Sequence, residues 1–433
     1  MARSSVLLAA ALLCAAAVAA AGAGQQQRLL VLADDPAAIK TSHSKFLASL
    51  KQRGYRGNVK AIGSKTLQLK EWDDWLYDKL VIFGGSKALG GAVDVEQLVE
   101  FVDAGHDLLL AVDSGVSEEL RALADQLGVD VDASGHSVID HFNYDAATGA
   151  TDHAAVLASN YVQSEAVLPG GLKAPVLYRG VGLSIAPGSE TAFAALRGSP
   201  TAYSGRTDAA QTDAKLAGPA LTLVALVQLR NNARVAVAGS VDMFSDAAFA
   251  AEATDRQNKN LGAVANEAFC TAVSKWTFQE RGVLRASNLS HRVVSGAHPG
   301  AVKPERYRIN DEVEFSVDIQ ECADGACKAF KASDVQVELV MLDPYVRTTL
   351  THDGAGRFST QVKVPDTYGV FKWVLDYRRL GYSYIELTET VPIRPFKHNE
   401  YERFIVQAYP YYASIASMMA GFLAVGAFFL WTK

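Results

Sequence analysis

Two serines flank a histidine at Ser42-His43-Ser44, a pairing of nucleophile and base types that could support nucleophilic catalysis if the groups met within hydrogen-bond reach. Neighbours on a helix point about 100° apart, so Ser42 and His43 are not expected to face each other. Hydroxyl residues at a helix start have an ordinary job as caps, and Thr41 or Ser42 is expected to cap the helix that follows. A second stretch, FGGSK at 83–87, places Gly84 and Gly85 after an apolar run. It lacks the G-x-x-x-x-G-K-[ST] spacing of a phosphate loop, and neither G-x-G-x-x-G nor G-x-S-x-G occurs. A third, GHSVIDHFNYD at 135–145 with Asp152 and His153 behind it, collects His136, Asp140, His141, Asp145 and His153 in the manner of a metal shell. Its histidine spacing of five does not bring both rings to one helix face, so a structured polar loop is the expectation. No catalytic residue, metal ligand or cofactor is expected. Thr41, Ser42, His43, Ser44, Gly84 and Gly85 are instead expected to line a ligand or partner crevice, where open α/β sheets bind at the carboxyl ends of their strands.

The elements that must position these residues alternate in type. RLLVLA at 28–33, LVIFGG at 80–85 and LLLAVD at 108–113 read as buried strands. Phe46, Leu47 and Leu50 mark the inner face of a helix ended by Gly54, and amphipathic helices follow at 95–105 and 118–128. Strands alternating with helices at this spacing imply a parallel, doubly wound α/β sheet. Short apolar runs over 150–235 are expected to add strands to it, RVAVAGS at 234–240 is a further buried strand, and 258–280 reads as one long helix. From 307 the texture changes to alternation of apolar and charged residues with frequent turns, as in DEVEFSVDIQ. That pattern predicts an all-β sandwich.

Both ends are apolar. Residues 1–24 read as a cleaved signal peptide, with Arg3 before an Ala/Leu-rich stretch and small residues at 21–23. Residues 411–431 carry no charge and are long enough for a hydrocarbon core of about 30 Å, so a transmembrane helix is expected over 408–431, with a cytosolic tail at 432–433. Tyr409, Tyr411 and Tyr412 at one edge and Trp431 at the other suit the two interfaces. Ala413, Ser417 and Gly421 form a row of small residues that admits close packing of a partner helix. The bulk of the chain then divides into a luminal α/β domain, 25–286, and a luminal β-sandwich domain, 287–400. Cys322 and Cys327 flank a turn-like ADGA and suit a disulfide in that compartment, while Cys270 sits in an amphipathic pattern as a buried thiol. Asn288-Leu289-Ser290 is a glycosylation sequon, expected in a loop. With 41 basic against 47 acidic residues, a net charge of −6 and no long basic run, nucleic acid is not an expected partner.

Ordered stretches through the mature chain carry a resemblance: TSHS (41–44), LKQRGY (50–55), VIDHFNYD (138–145), QLRNNARV (228–235), GSVDMFS (239–245), KWTFQERGVLR (275–285), DVQVE (334–338), DPYVR (343–347), PDTYGVF (365–371) and YERFIVQAYPYYASIASMM (401–419). Together they resemble the forty-eight-kilodalton subunit family of the eukaryotic oligosaccharyltransferase. The resemblance implies a non-catalytic accessory subunit, single-pass in the endoplasmic reticulum membrane with most of its mass in the lumen. Its complex moves a preassembled glycan from dolichyl diphosphate to asparagine in N-x-[ST]. The first domain would be similar to glutamine-amidotransferase-like folds without their chemistry. Expected partners are a catalytic many-spanning subunit, other membrane subunits of the complex, the lipid bilayer and, as a further candidate, the translocation channel. Family members commonly end in a dilysine retrieval signal, whereas this sequence ends Trp431-Thr432-Lys433; either the assembled complex retains it or a few residues follow. The alternative is a luminal glycan-binding or receptor-type membrane protein without a complex partner.

Overall fold

The computed structural model describes residues 27–91, 93–148, 151–206, 216–401 and 404–432. The signal-peptide reading of 1–24 and the last tail residue lie outside the described residues. By contact density the chain forms two units, one of residues 1–285, 319–330 and 377–385, the other of 286–318, 331–376 and 386–433.

The first unit is built on a ten-stranded mixed sheet. In chain order its strands are β1 (Arg28–Ala33), β2 (Arg56–Ala61), β3 (Lys79–Phe83), β4 (Asp107–Ala111), β5 (Val129–Val131), β6 (Asn160–Tyr161), β7 (Leu183–Ile185), β8 (Ala192–Arg197), β9 (Thr222–Gln228) and β10 (Arg234–Ala238). The spatial order is β6-β8-β9-β10-β4-β3-β1-β2, with β7 pairing both β9 and β5. Strands β2, β1, β3, β4 and β10 run parallel. The sheet departs from an all-parallel expectation beyond them, because β10–β9, β9–β8 and β8–β6 are antiparallel. The reason is connection length: residues 229–233 between β9 and β10 can close a tight turn but cannot hold a crossover.

Successive residues of β1 enter opposite cores. Leu29, Val31 and Ala33 join one apolar cluster, Leu30 and Leu32 the other. Helices α1 (Pro36–Ser42) and α2 (Ser44–Gln52) contribute Ile39, Phe46 and Leu50 to the first cluster. Helices α3 (Val95–Asp103) and α4 (Glu118–Gln126) contribute Leu98, Phe101, Leu120 and Leu123 to the second. A short α5 (Asp246–Ala250) precedes α6 (Asn266–Thr277), whose Phe269, Cys270 and Trp276 belong to the first cluster. The long helix expected over 258–280 is therefore only its second half. Asp255 accepts from the Gln257 and Lys259 amides and turns a hairpin, with Asn258 at φ 58°, between the paired strands Glu252–Thr254 and Asn260–Ala263.

The rest of the chain adds ten strands: β11 (Val283–Ser295), β12 (Tyr307–Arg308), β13 (Glu312–Ala323), β14 (Ala326–Ala329), β15 (Gln336–Met341), β16 (Asp343–Thr349), β17 (Thr351–His352), β18 (Arg357–Lys363), β19 (Gly369–Tyr377) and β20 (Ile385–Arg394). They form two five-stranded sheets: β11-β13-β18-β17, with β14 on β13, and β12-β20-β19-β15-β16. Phe315 from the first meets Trp373 from the second at 5.1 Å between ring centroids, and the Trp373 indole donates to the Tyr307 hydroxyl at 3.1 Å. Asn288, expected in a loop, lies within strand β11 at φ 52°, exposed, its amide donating to Asp318 at 2.8 Å. Cys322 and Cys327 are joined in a disulfide, and Cys270 is free and buried. The disulfide brackets the β13–β14 hairpin, whose tip residue Asp324 accepts from Lys275 at 2.6 Å and Arg281 at 2.9 Å. Last comes α7 (Tyr409–Trp431), 23 residues with no buried side chain and no charge, long enough to cross a membrane at about 1.5 Å per residue.

Candidate functional site

The parallel strands β1, β3, β4 and β10 end together, so the segments after them share one edge of the sheet: Asp34 after β1, Gly84 to Lys87 after β3, and Gly239 to Asp246 after β10. A crevice of this kind binds anions through exposed amides. Here those amides have partners from the chain itself. The Asp34 carboxylate accepts from the Gly85 and Ser86 amides at 2.9 and 3.0 Å, from the Ser86 hydroxyl at 2.9 Å and from the Lys87 amide at 3.4 Å. Lys87 reaches back to the Asp34 carbonyl at 2.6 Å. Gly84 and Gly85 stand at φ 98° and 111°, and a Cβ on Gly84 would come 2.6 Å from the Asp34 carboxylate. Glycine here serves the close approach of the chain's own carboxylate.

The Ser42-His43-Ser44 stretch holds a helix break rather than a cap. Asp35 caps α1 by accepting from the Ala37 and Ala38 amides, while Thr41 and Ser42 lie in the last turn and donate back to the Ala38 carbonyl at 2.8 Å. The expected capping by Thr41 or Ser42 is thus corrected: the Asp35-Pro36 pair before the helix is the stronger start signal. The cap of α2 comes from 202 residues away. The Asp246 carboxylate accepts from the Ser44 amide at 3.0 Å, the Ser44 hydroxyl at 2.6 Å and the Lys45 amide at 2.8 Å. Desolvation raises the Asp246 carboxyl, but the Ser44 hydroxyl and the two amides outweigh it and hold the group below its usual range.

The break at His43 (φ −120°, ψ 31°) also brings Ser42 and His43 together, against the helical expectation, with Ser42 Oγ 2.8 Å from His43 Nδ1. His43 is buried, and its Nε2 faces the Val241 carbonyl at 3.2 Å. A carbonyl only accepts, so Nε2 carries the proton and neutral Nδ1 is an acceptor, competing with the Ala38 carbonyl for the one Ser42 hydroxyl proton. The ring is oriented by a backbone carbonyl, not a carboxylate, and it ties the α1–α2 junction to the segment after β10. Cys270 supplies no nucleophile either: it is fully buried, its thiol lies 3.4 Å from the Met243 carbonyl, and burial raises its pKa. Close backbone contact shuts the end of β10, where a Cβ on Gly180 would meet the Gly239 carbonyl at 2.0 Å.

Burial is the main reason the His43 pKa lies below 6.5. The fold therefore favours the neutral ring, and the unfolded chain takes the proton first as pH falls. Stability from this group is complete above about 6.5 and declines below it. We expect thermal melts at pH 7.5 and 5.5 to differ less for His43→Asn than for the unaltered chain. His106 and His291 are depressed for the same reason and keep a residual slope in both. Equal pH dependence in the two proteins would count against this placement of His43.

The polar stretch at 135–153 divides into separate arrangements. Asp140 is buried and accepts from the Phe142 and Asn143 amides, the Asn143 side chain, and the Ser199 and Thr201 hydroxyls. Asp145 accepts from Thr148 and from the Thr254 amide. His136 sits 3.1 Å from Asp132, and His141 contacts His153 and the Tyr203 hydroxyl. Among the described residues no three His, Cys, Asp or Glu side chains converge as a metal would require. On α7, Ala413, Ser417 and Gly421 are exposed, and nothing lies within 4 Å of a Cβ built on Gly421.

Comparison with known proteins adds sequence-wide likeness to this geometry. Residues 20–280 match the family model described as OST48, N-terminal domain, and residues 291–433 that of the OST48 middle domain. Relatives named "Dolichyl-diphosphooligosaccharide--protein glycosyltransferase 48 kDa subunit" are 40% identical in Arabidopsis thaliana, over 92% of each chain, and 37% identical in Caenorhabditis elegans and Danio rerio, over 92% of this chain and 90% of theirs. Among solved structures, a putative ThuA-like protein from Parabacteroides merdae aligns at 10% identity with a TM-score of 0.28, over 49% of this chain and 79% of its own, too low to bear on the fold.

Proposed function

Because the chain belongs to the OST48 family, we propose that it is a non-catalytic accessory subunit of the oligosaccharyltransferase complex. In this reading it is needed for assembly and full activity, while the transfer of a preassembled glycan from dolichyl diphosphate to asparagine in N-x-[ST] takes place on another, many-spanning subunit. The observation that carries the non-catalytic part is the filling of the sheet-edge crevice. Asp34 occupies the amides of the glycine loop and Asp246 those at the start of α2, so these amides are not free to hold an anionic substrate or transition state.

Membership in the family supports the remaining assignments. The part over 25–286 is a doubly wound α/β domain of the glutamine-amidotransferase-like type, and the β-rich part over 287–400 is a sandwich. Both lie in the lumen of the endoplasmic reticulum. Helix α7 is the single span, and its Ala413-Ser417-Gly421 row packs against helices of partner subunits. Asn288, exposed on β11, is the acceptor of the chain's own glycan. The translocation channel is a further neighbour.

Affinity purification of the full chain in mild detergent tests this reading. Several many-spanning membrane subunits are expected to co-purify. A chain cut before Tyr411 is expected to lose them and to lower glycosylation of many client proteins at once. Recovery of the chain alone, with glycosylation unchanged, would overturn the proposal. So would sugar transfer or cleavage by the ectodomain in isolation.

A further inference from the structure

The open edge of the large sheet carries a groove that the crevice argument does not use. Strand β2 ends the sheet, and among the described residues it pairs with β1 alone. Its outward amides and carbonyls are therefore a template for a further strand. Beside that edge, under α1 and α2, lies a cavity of about 800 Å³. Leu47 and Val59, both half-buried, give it a partly exposed apolar floor, and Lys40, Lys51 and Arg56 supply positive charge around it. No carboxylate is among its described lining residues, in a chain whose net charge is −6. An apolar floor, a cationic rim and an unpaired strand edge coincide at one place.

We propose that this groove is a docking slot for an extended, acidic segment of a partner subunit, which adds to the sheet alongside β2. The inference rests on the complex-subunit reading above. Main-chain hydrogen bonds to β2 would supply the pairing, apolar side chains of the segment would cover the half-buried Leu47 and Val59, and its carboxylates would meet Lys40, Lys51 and Arg56. Gly57 keeps the slot open. A Cβ there would lie 3.7 Å from the Leu29 side chain, an ordinary contact, so a side chain can start at this position without a clash.

The test is hydrogen exchange of the peptide spanning 56–61, measured on the full chain within the purified complex and after its release. At least tenfold slower exchange in the complex is expected. Lys40→Glu/Lys51→Glu and Gly57→Leu chains, still co-purifying through α7, should lose that protection, and a photo-crosslinker at position 58 should join an acidic segment of a partner. Unchanged exchange in a chain that co-purifies normally overturns this inference and leaves the subunit reading standing. Failure to co-purify at all removes both. Two other outcomes also overturn it: protection of the released chain by vesicles containing phosphatidylserine but not by phosphatidylcholine alone, which assigns the groove to lipid, and a crosslink to a second copy of this chain.

Discussion

Arg234→Ala is expected to destabilise the first unit by about 3–5 kcal/mol, the cost of emptying a buried charged site whose partners remain. Arg234 has no exposed surface. Its guanidinium donates to the carbonyls of Trp276 at 2.9 Å, Arg281 at 2.6 Å and Gly282 at 2.6 Å, and it lies 4.7 Å over the Trp276 ring. These three carbonyls come from the end of α6 and the segment after it, so one fork ties the last helix of the unit to strand β10. Burial lowers the Arg234 pKa to about 10, offset in part by Asp107, and the group stays charged at neutral pH. Alanine would strand the carbonyls and leave a void beside Trp276. Lysine would keep the charge but lose the fork, and an intermediate loss is expected. Denaturant midpoints of the three purified chains check this; a loss below about 1 kcal/mol for alanine would contradict the role given to Arg234.

Asp34→Ala is expected to cost about 2–3 kcal/mol, because three amides and a hydroxyl lose one shared acceptor at a half-buried site. The same change empties an anion nest. Sulfate or phosphate should therefore raise the melting temperature of the variant more than that of the unaltered chain, since a ligand of the folded state stabilises by mass action. If both proteins respond alike to sulfate, Asp34 does not fill the loop, and the crevice argument for a non-catalytic subunit loses its support.

Much of the local structure was legible from residue order. The runs at 28–33, 108–113 and 234–240 are strands because they are apolar on both faces and short, which suits a sheet covered on both sides. The terminal helix was readable for the same kind of reason: an uninterrupted apolar run admits one structure when the surrounding medium is lipid. Where local cues compete, a stronger neighbouring signal decides the structure. Thr41 and Ser42 are good caps by type, yet Asp35 with Pro36 begins α1 first. Residues 258–265 have helical company, yet Asp255 and Asn258 turn the chain into a hairpin.

Sequence alone determined the chain's membership in its family, its buried strands and the apolar helix at 409–431, because each rests on a pattern of residues close together along the chain. The tertiary structure alone decided what the crevice contains. Asp246 reaches Ser44 across 202 residues, and Asp34 reaches Ser86 across 52. It also decided that Arg234 closes the unit from within. A carboxylate or guanidinium chooses among many distant partners by geometry, and no periodicity in the sequence records that choice.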